Sequence, residues 1–224
     1  MCDRFVLHSP KEETEQLFEV STERDDYFEP DYNITPGSII PVVYNEGEKR
    51  EIYGFRWGLI PEDAEKESSG DEYYAFPVEE IGEENGRMED LLLNRRCIIP
   101  ANGFYKWKFS EKKSTPFYIR LLSQDLIGLA GVYSIWQSDS GRDVYSCSIL
   151  TTEANALIQP IDDRMPVILR SENFDVWLSR NTDREALTGL LKPYLLTEMV
   201  VNRVSEKVND TDNNSPELIQ PIPK

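Results

Sequence analysis

The chain has 224 residues and a mass of 25.9 kDa, with 39% hydrophobic and 11% aromatic content, enough for a substantial core in one large domain or two small ones. The 41 acidic residues against 24 basic ones give a formal net charge of −17, the opposite of the basic footprint that phosphate binding leaves on a domain. No apolar run reaches membrane-spanning length and no signal-peptide core is present. Three cysteines without metal-ligand spacing (Cys2, Cys97 and Cys147) argue for a reducing cytoplasm and against a disulfide scaffold.

In chain order, residues 4–8 read as a short strand. Residues 10–19 read as a helix with Ser9 as N-cap, Pro10 at the first helical position, and Leu17 and Phe18 on its apolar side. Tyr32 to Gly37 reads as a turn feeding a strand from Ile39 to Tyr44, and Glu51 to Trp57 alternates as another strand. Residues 62–86 are acidic and Gly-containing, hence a surface loop, and Met88 to Asn94 suits a helix. A β-rich stretch follows: Cys97 to Pro100, Gly103 to Lys108, Pro116 to Leu122, Gly128 to Trp136 and Tyr145 to Thr151, separated by turn signals such as Asp139-Ser140-Gly141. Short helices are expected at Glu153–Ile158, Asn173–Leu178 and Asp183–Leu190, and a late strand at Val200–Val204. The fold class is therefore α+β, a single β-rich domain with peripheral helices over residues 1–209. A polar, Pro-containing tail over 210–224 packs on it or trails from it.

The second residue carries the most chemistry. Removal of Met1 ahead of so small a side chain is routine and leaves Cys2 with a free α-amine and a thiol on adjacent carbons. The amine condenses with an aldehyde and the thiolate closes on the same carbon, giving a thiazolidine. An α-amine titrates near ~8 and a thiol near ~8.5, so both nucleophiles are partly available at neutrality. Cys97 and Cys147 sit in apolar runs and read as buried small hydrophobes. The acid is concentrated at residues 12–31 and 62–90, whereas Arg95, Arg96, Lys106, Lys108, Lys112 and Lys113 form a basic stretch. Two accounts of the charge stand: a solvated outer face suited to a salty cytoplasm, or a protein that has lost a polyanionic partner.

Several segments then line up in one order. They are Met1-Cys2-x-Arg4-Phe5, Tyr32-Asn33-Ile34-x-Pro36-Gly37, Arg56-Trp57-Gly58-Leu59-Ile60-Pro61, and the run from Arg96 through Pro100 and Gly103-Phe104-Tyr105 to Trp107. Leu150-Thr151-Thr152-Glu153-Ala154-Asn155, Asp163-Arg164-Met165-Pro166 and Val204-Ser205-x-x-Val208-Asn209 follow. Together, over essentially the whole chain, they resemble the SOS-response-associated peptidase (SRAP) family, the abasic-site processing proteins. The resemblance implies barrel-like mixed sheets with peripheral helices, a basic cleft for single-stranded DNA with abasic sites, covalent capture of the lesion aldehyde by the N-terminal cysteine, self-removal of the initiator methionine and lyase-type or reversal chemistry. A monomer in the cytoplasm, nucleoid-associated when bound to DNA, is expected, and the sequence suggests no cofactor, no metal and no membrane partner.

By resemblance, Cys2 matches the nucleophile, and Arg4, Asn33 and Pro36 match positions near the active-site cleft. Trp57-Gly58-Leu59 matches the segment that wedges against bases, where an exposed Trp57 would stack on a base face, and Arg56 beside it is a further DNA-binding candidate. Trp107, Thr151 and Arg164 match DNA- or site-lining positions; core packing is the competing reading for both tryptophans. Three departures stand out. Lys106 occupies the family's carboxylate position in Gly-Phe-Tyr-Glu-Trp, and Asp162 occupies its histidine position; the sole histidine, His8, lies in the first strand. Phe76, Pro77 and Val78 fall where the family has Asn-Ala-Arg, with Glu80 retained; Asn85-Gly86-Arg87 mimics that motif only after a shift of nine positions. Lys106 and Asp162 are expected to pair across the site, with Asp162 taking over proton transfer. The alternative is a degenerate paralogue that binds DNA or a protein partner without covalent chemistry.

Overall fold

The computed structural model describes residues 3–82, 86–111 and 113–222. Met1 and Cys2, on which the aminothiol reading rests, lie outside them, as do Asn85 and Lys112. The large sheet is built on five strands: β3 (Ile39–Glu46), β4 (Lys49–Trp57), β6 (Arg96–Ala101), β9 (Ile127–Gln137) and β10 (Asp143–Glu153). They pair in the order β10, β4, β3, β6, β9, and β9 pairs again with β10, so the sheet closes into a barrel. All contacts in the ring are antiparallel except β10 with β4. Closure leaves no free edge in the ring. Short strands β5 (Ala75–Pro77), β11 (Arg164–Pro166) and β12 (Ile168–Leu169) extend it alongside β10 and β9. Gly131 faces Cys97 across β6 and β9, and a Cβ there would lie 2.9 Å from Ser148 O and 3.0 Å from Cys97 Sγ, so only glycine fits this crossing.

A second sheet has the order β13 (Met199–Arg203), β8 (Lys113–Leu121), β7 (Gly103–Ser110), β1 (Phe5–Leu7), β2 (Asp31–Ile34). Pleating divides its side chains between two cores. Phe5, Phe104 and Ile119 enter the main core between the sheets, where Phe5 meets Trp57 edge-on at 4.9 Å. Val6, Tyr105 and Tyr118 face outward and are covered by Val204, Val208 and Leu218 of the C-terminal segment. Leu218 is only 1% exposed, so the segment after residue 209 packs onto this outer face.

Helices α1 (Lys11–Phe18), α2 (Gly86–Asn94), α3 (Phe174–Leu178) and α4 (Arg184–Leu190) lie at the periphery. Asp183 caps α4 by accepting from Ala186 N at 2.8 Å. Four local expectations are corrected. Ser9 does not cap α1, because the Asn102 side chain accepts from Ser9 N and donates to Ser9 Oγ, leaving Pro10 as N-cap. Tyr32–Ile34 belongs to β2, with the turn confined to Pro36–Gly37. The acidic loop over 62–86 contains β5. The helix expected at Glu153–Ile158 is a run of turns, since Asn155 Oδ1 accepts from Leu157 N and Ile158 N and so competes with helical pairing.

Candidate functional site

Strand β7 carries Tyr105, Lys106 and Trp107 in succession, and its pleat sends them to opposite faces. Lys106 goes inward with Phe104 and is 1% exposed. Its Nζ lies 3.2 Å from Asp162 Oδ2, close enough for an ion pair but at an angle that makes no directed hydrogen bond, and among the described residues no other acceptor takes its protons. Asp162 sits at the end of the turn run after Asn155, where Asp162 N donates to Ile158 O and Asp162 Oδ1 accepts from Arg164 N at 2.8 Å. Arg164 in turn donates to Thr151 O and Thr151 Oγ1 and pairs with Glu79 Oε2 at 2.8 Å, while among the described residues its buried Nε has no acceptor. Burial works against the Glu79 carboxylate, but the Arg164 hydrogen bond and charge outweigh it and hold the carboxyl below its usual range. Charges of alternating sign thus run from Glu79 at the surface to Lys106 in the interior.

Glu79 escaped sequence reasoning because it stands in a run of acids beside Glu80, the residue the motif singled out. Pairing of β5 with β10 puts Phe76 opposite Leu150 and Pro77 opposite Thr151, and Thr151 Oγ1 donates to Phe76 O. The ungapped placement of Phe76, Pro77 and Val78 therefore brings them beside Thr151. Arg87 of the competing motif instead pairs with Asp63.

The outward face of β7 holds a different arrangement. Arg4 Nη1 donates to Asn33 Oδ1 at 2.6 Å and Val208 O at 2.8 Å, and its guanidinium lies 5.5 Å over the Trp107 ring. Asn33, 4% exposed, donates through Nδ2 to the carbonyls of Asp210 and Asn213, with a longer contact to Val208. Trp107 Nε1 donates to Asn209 Oδ1 at 2.7 Å. Burial lowers the Arg4 guanidinium from its ordinary value. Arg4, Asn33 and Trp107 therefore clamp the C-terminal segment, whose part in their hydrogen bonding no short motif announces.

A third group surrounds the end of β4. Trp57 is fully buried, donates from Nε1 to Tyr74 O at 2.8 Å and offers no ring face to a base, which corrects the expectation of an exposed stacking residue. The Pro36–Gly37 turn is fastened to it, with Gly37 N donating to Trp57 O. Arg56 is 8% exposed, pairs with Asp71 and donates to Gly58 O, so it ties the acidic loop to the barrel. Gly58 has φ +131, and a Cβ there would lie 2.7 Å from Gly70 O.

The basic stretch is also dispersed. Arg96 is buried with its guanidinium on the carbonyls of Trp177, Leu92 and Ser179, and burial lowers it to about 10. Arg95 pairs with Glu62 and Lys113 with Glu206. His8 stacks on Tyr32 at 5.3 Å. Burial raises both the Cys97 and Cys147 thiols, as their apolar settings require. Among the described residues, no group of three or more His, Cys, Asp or Glu could hold a metal ion, and no helix is long and apolar enough to cross a membrane.

The model of the SOS response associated peptidase (SRAP) family matches residues 1–211. The chain belongs to this family. It is 39% identical over 223 residues to the abasic site processing protein YoqW of Bacillus subtilis, covering 98% of this chain and 99% of the relative. It is 37% identical to the abasic site processing protein YoaM of the same organism, over 98% and 97% of the two chains. A crystal structure of a protein from Bacteroides thetaiotaomicron superposes with a TM-score of 0.87 over 99% of this chain and 100% of that one, at 23% identity, which supports the fold.

Proposed function

We propose that this chain processes abasic sites in DNA damage by capturing the lesion aldehyde in single-stranded DNA through Cys2 once Met1 is removed. The amine adds to the aldehyde carbon and water leaves; the thiolate then closes on that carbon, and the nitrogen retains one proton. The family membership and the near-full-length relatives named abasic site processing proteins support this reading. The observation that carries it in the fold is the buried Lys106–Asp162 pair, which lies on the inward face of β7, the strand paired with β1, and β1 begins three residues after Cys2. Asp162 keeps 16% of its side chain in solvent and is the group placed to shuttle protons to the departing water. Thr151 and Arg164 hold the turn that presents Asp162. The protein acts as a cytoplasmic monomer, on the nucleoid when bound to DNA.

Denaturing electrophoresis after incubation with single-stranded DNA bearing one abasic site tests this reading. A shifted band with the native protein and none with Cys2→Ala is expected. No band from a protein whose intact mass shows Met1 removed would sink it.

One observation favours a second reading. Arg4, Arg56 and Arg164 all have internal partners and the net charge is −17, which suits a paralogue that binds a protein or DNA without covalent chemistry. No denaturation-resistant band on abasic DNA, together with partner binding that survives added salt, would favour a protein partner, because phosphate contacts to DNA weaken steeply with added salt.

A further inference from the structure

Among the described residues Lys106 is the one buried lysine amine; it lies on the strand paired with β1, and capture by Cys2 assigns it no step. A lysine at 1% exposure normally satisfies its three donors; among the described residues Lys106 Nζ has only an off-angle carboxylate oxygen at 3.2 Å. The pair lies one side chain below the surface, since Asp162 remains partly exposed and Glu79, at the outer end of the same charge series, has 47% of its side chain in solvent. A primary amine held in a dry setting next to a single carboxylate has the composition of a carbonyl-condensing site.

We propose that Lys106 is a second nucleophile for the lesion aldehyde, forming an imine independently of Cys2. This rests on the abasic-site reading above. The step balances with the two groups present. Asp162 takes a proton from the Lys106 ammonium, and the freed amine adds to the aldehyde carbon, giving a carbinolamine after its own proton shifts to oxygen. The protonated Asp162 then returns its proton to the hydroxyl, which leaves as water, and a cationic iminium remains between Lys106 and the lesion carbon. Asp162 ends as the carboxylate facing a cationic nitrogen, the same charge arrangement it started from, so the site stabilises the product without reorganising. No oxidant, metal or cofactor is needed. The carboxylate-to-lysine change at this position thus adds a nucleophile that a carboxylate could not supply, and the imine, unlike a thiazolidine, hydrolyses readily back to aldehyde and amine.

The full chain is incubated with single-stranded DNA containing one abasic site in the presence of cyanoborohydride, which reduces an imine to a stable secondary amine. It is then digested and the adduct mapped by mass spectrometry. In the native protein an adduct is expected on the peptide containing Lys106. It should persist in Cys2→Ala, vanish from that peptide in Lys106→Arg, and fall at least tenfold in Asp162→Asn. Adduct confined to the N-terminal residue in every protein overturns this inference and leaves capture by Cys2 standing. Adduct on no peptide at all overturns both. Because the native protein alone gives the deciding map, a poorly folding variant does not blunt the test.

Discussion

The two faces of β7 use similar residue types to opposite ends. Outward, Arg4, Asn33 and Trp107 spend their hydrogen bonds on the backbone of the C-terminal segment: Asn33 supplies an acceptor to Arg4 and donors to several carbonyls, and the indole is bonded to Asn209. Inward, Asp162 and Glu79 neutralise Lys106 and Arg164 in alternation, whereas Arg4 on the outward face is held by carbonyl and amide oxygens; among the described residues each of these three cations keeps a buried nitrogen with no acceptor. Bonds to the tail backbone fix the tail in place, whereas a carboxylate beside a buried amine supplies a proton acceptor. The outward face is therefore a structural clamp and the inward face the place where chemistry is expected.

The comparison can be broken most sharply by unpairing the inward charge. Asp162→Ala leaves an ammonium with almost no solvent and no counterion, and should cost about 3–5 kcal/mol in urea unfolding. On the outward face, Asn33→Ala strips Arg4 of an acceptor and frees tail carbonyls, with an expected loss of about 2–4 kcal/mol. Lys106→Met tests the asymmetry of the inward pair: the remaining carboxylate is partly solvated and bonded by Arg164 N, so the loss should stay under about 1.5 kcal/mol. If Lys106→Met proves as costly as Asp162→Ala, the pair is a structural element like the clamp.

Two smaller effects sharpen the contrast. The Glu79 carboxyl is held below its usual value in the folded chain, so its contribution is fully present above the unfolded carboxylate range and is lost as pH falls through the folded value. Between about pH 7 and pH 3 the native protein should lose more stability than Glu79→Gln, read as the shift in urea midpoint at each pH. The smallest effect belongs to Asn209→Ala, whose bond to the Trp107 indole is exposed; about 0.5 kcal/mol is expected.

Much of the fold was legible because period-2 alternation and turn residues mark strands such as Lys49–Trp57 and Asp143–Glu153, and Asp183 marks the start of α4. The barrel-like form came with the family resemblance, but the strand order that closes it was not legible, since the pairing of β9 with both β6 and β10 depends on contacts distant in sequence. The Lys106–Asp162 contact was anticipated from a matched pair of charge reversals in two motifs, and the two side chains do meet. The other site residues separated because motif order says nothing about which face of a strand each occupies. Arg4 and Lys106 lie beside neighbouring strands yet on opposite sides of the sheet, and Trp57, flagged as a surface wedge, packs on Phe5 in the main core. Asn155 hid a turn inside an apparently helical run, because its side-chain oxygen takes the amides a helix would need.

The division of labour between the two faces is tested most directly by the initial rate of covalent adduct formation on abasic single-stranded DNA, measured by denaturing electrophoresis and normalised to folded protein. Asp162→Asn should slow it by about tenfold or more, as loss of a positioned proton carrier does, and Asn209→Ala should leave it within about twofold, its bond being peripheral. Equal losses in both variants, or a slower rate for Asn209→Ala, would contradict the assignment of chemistry to the inward face.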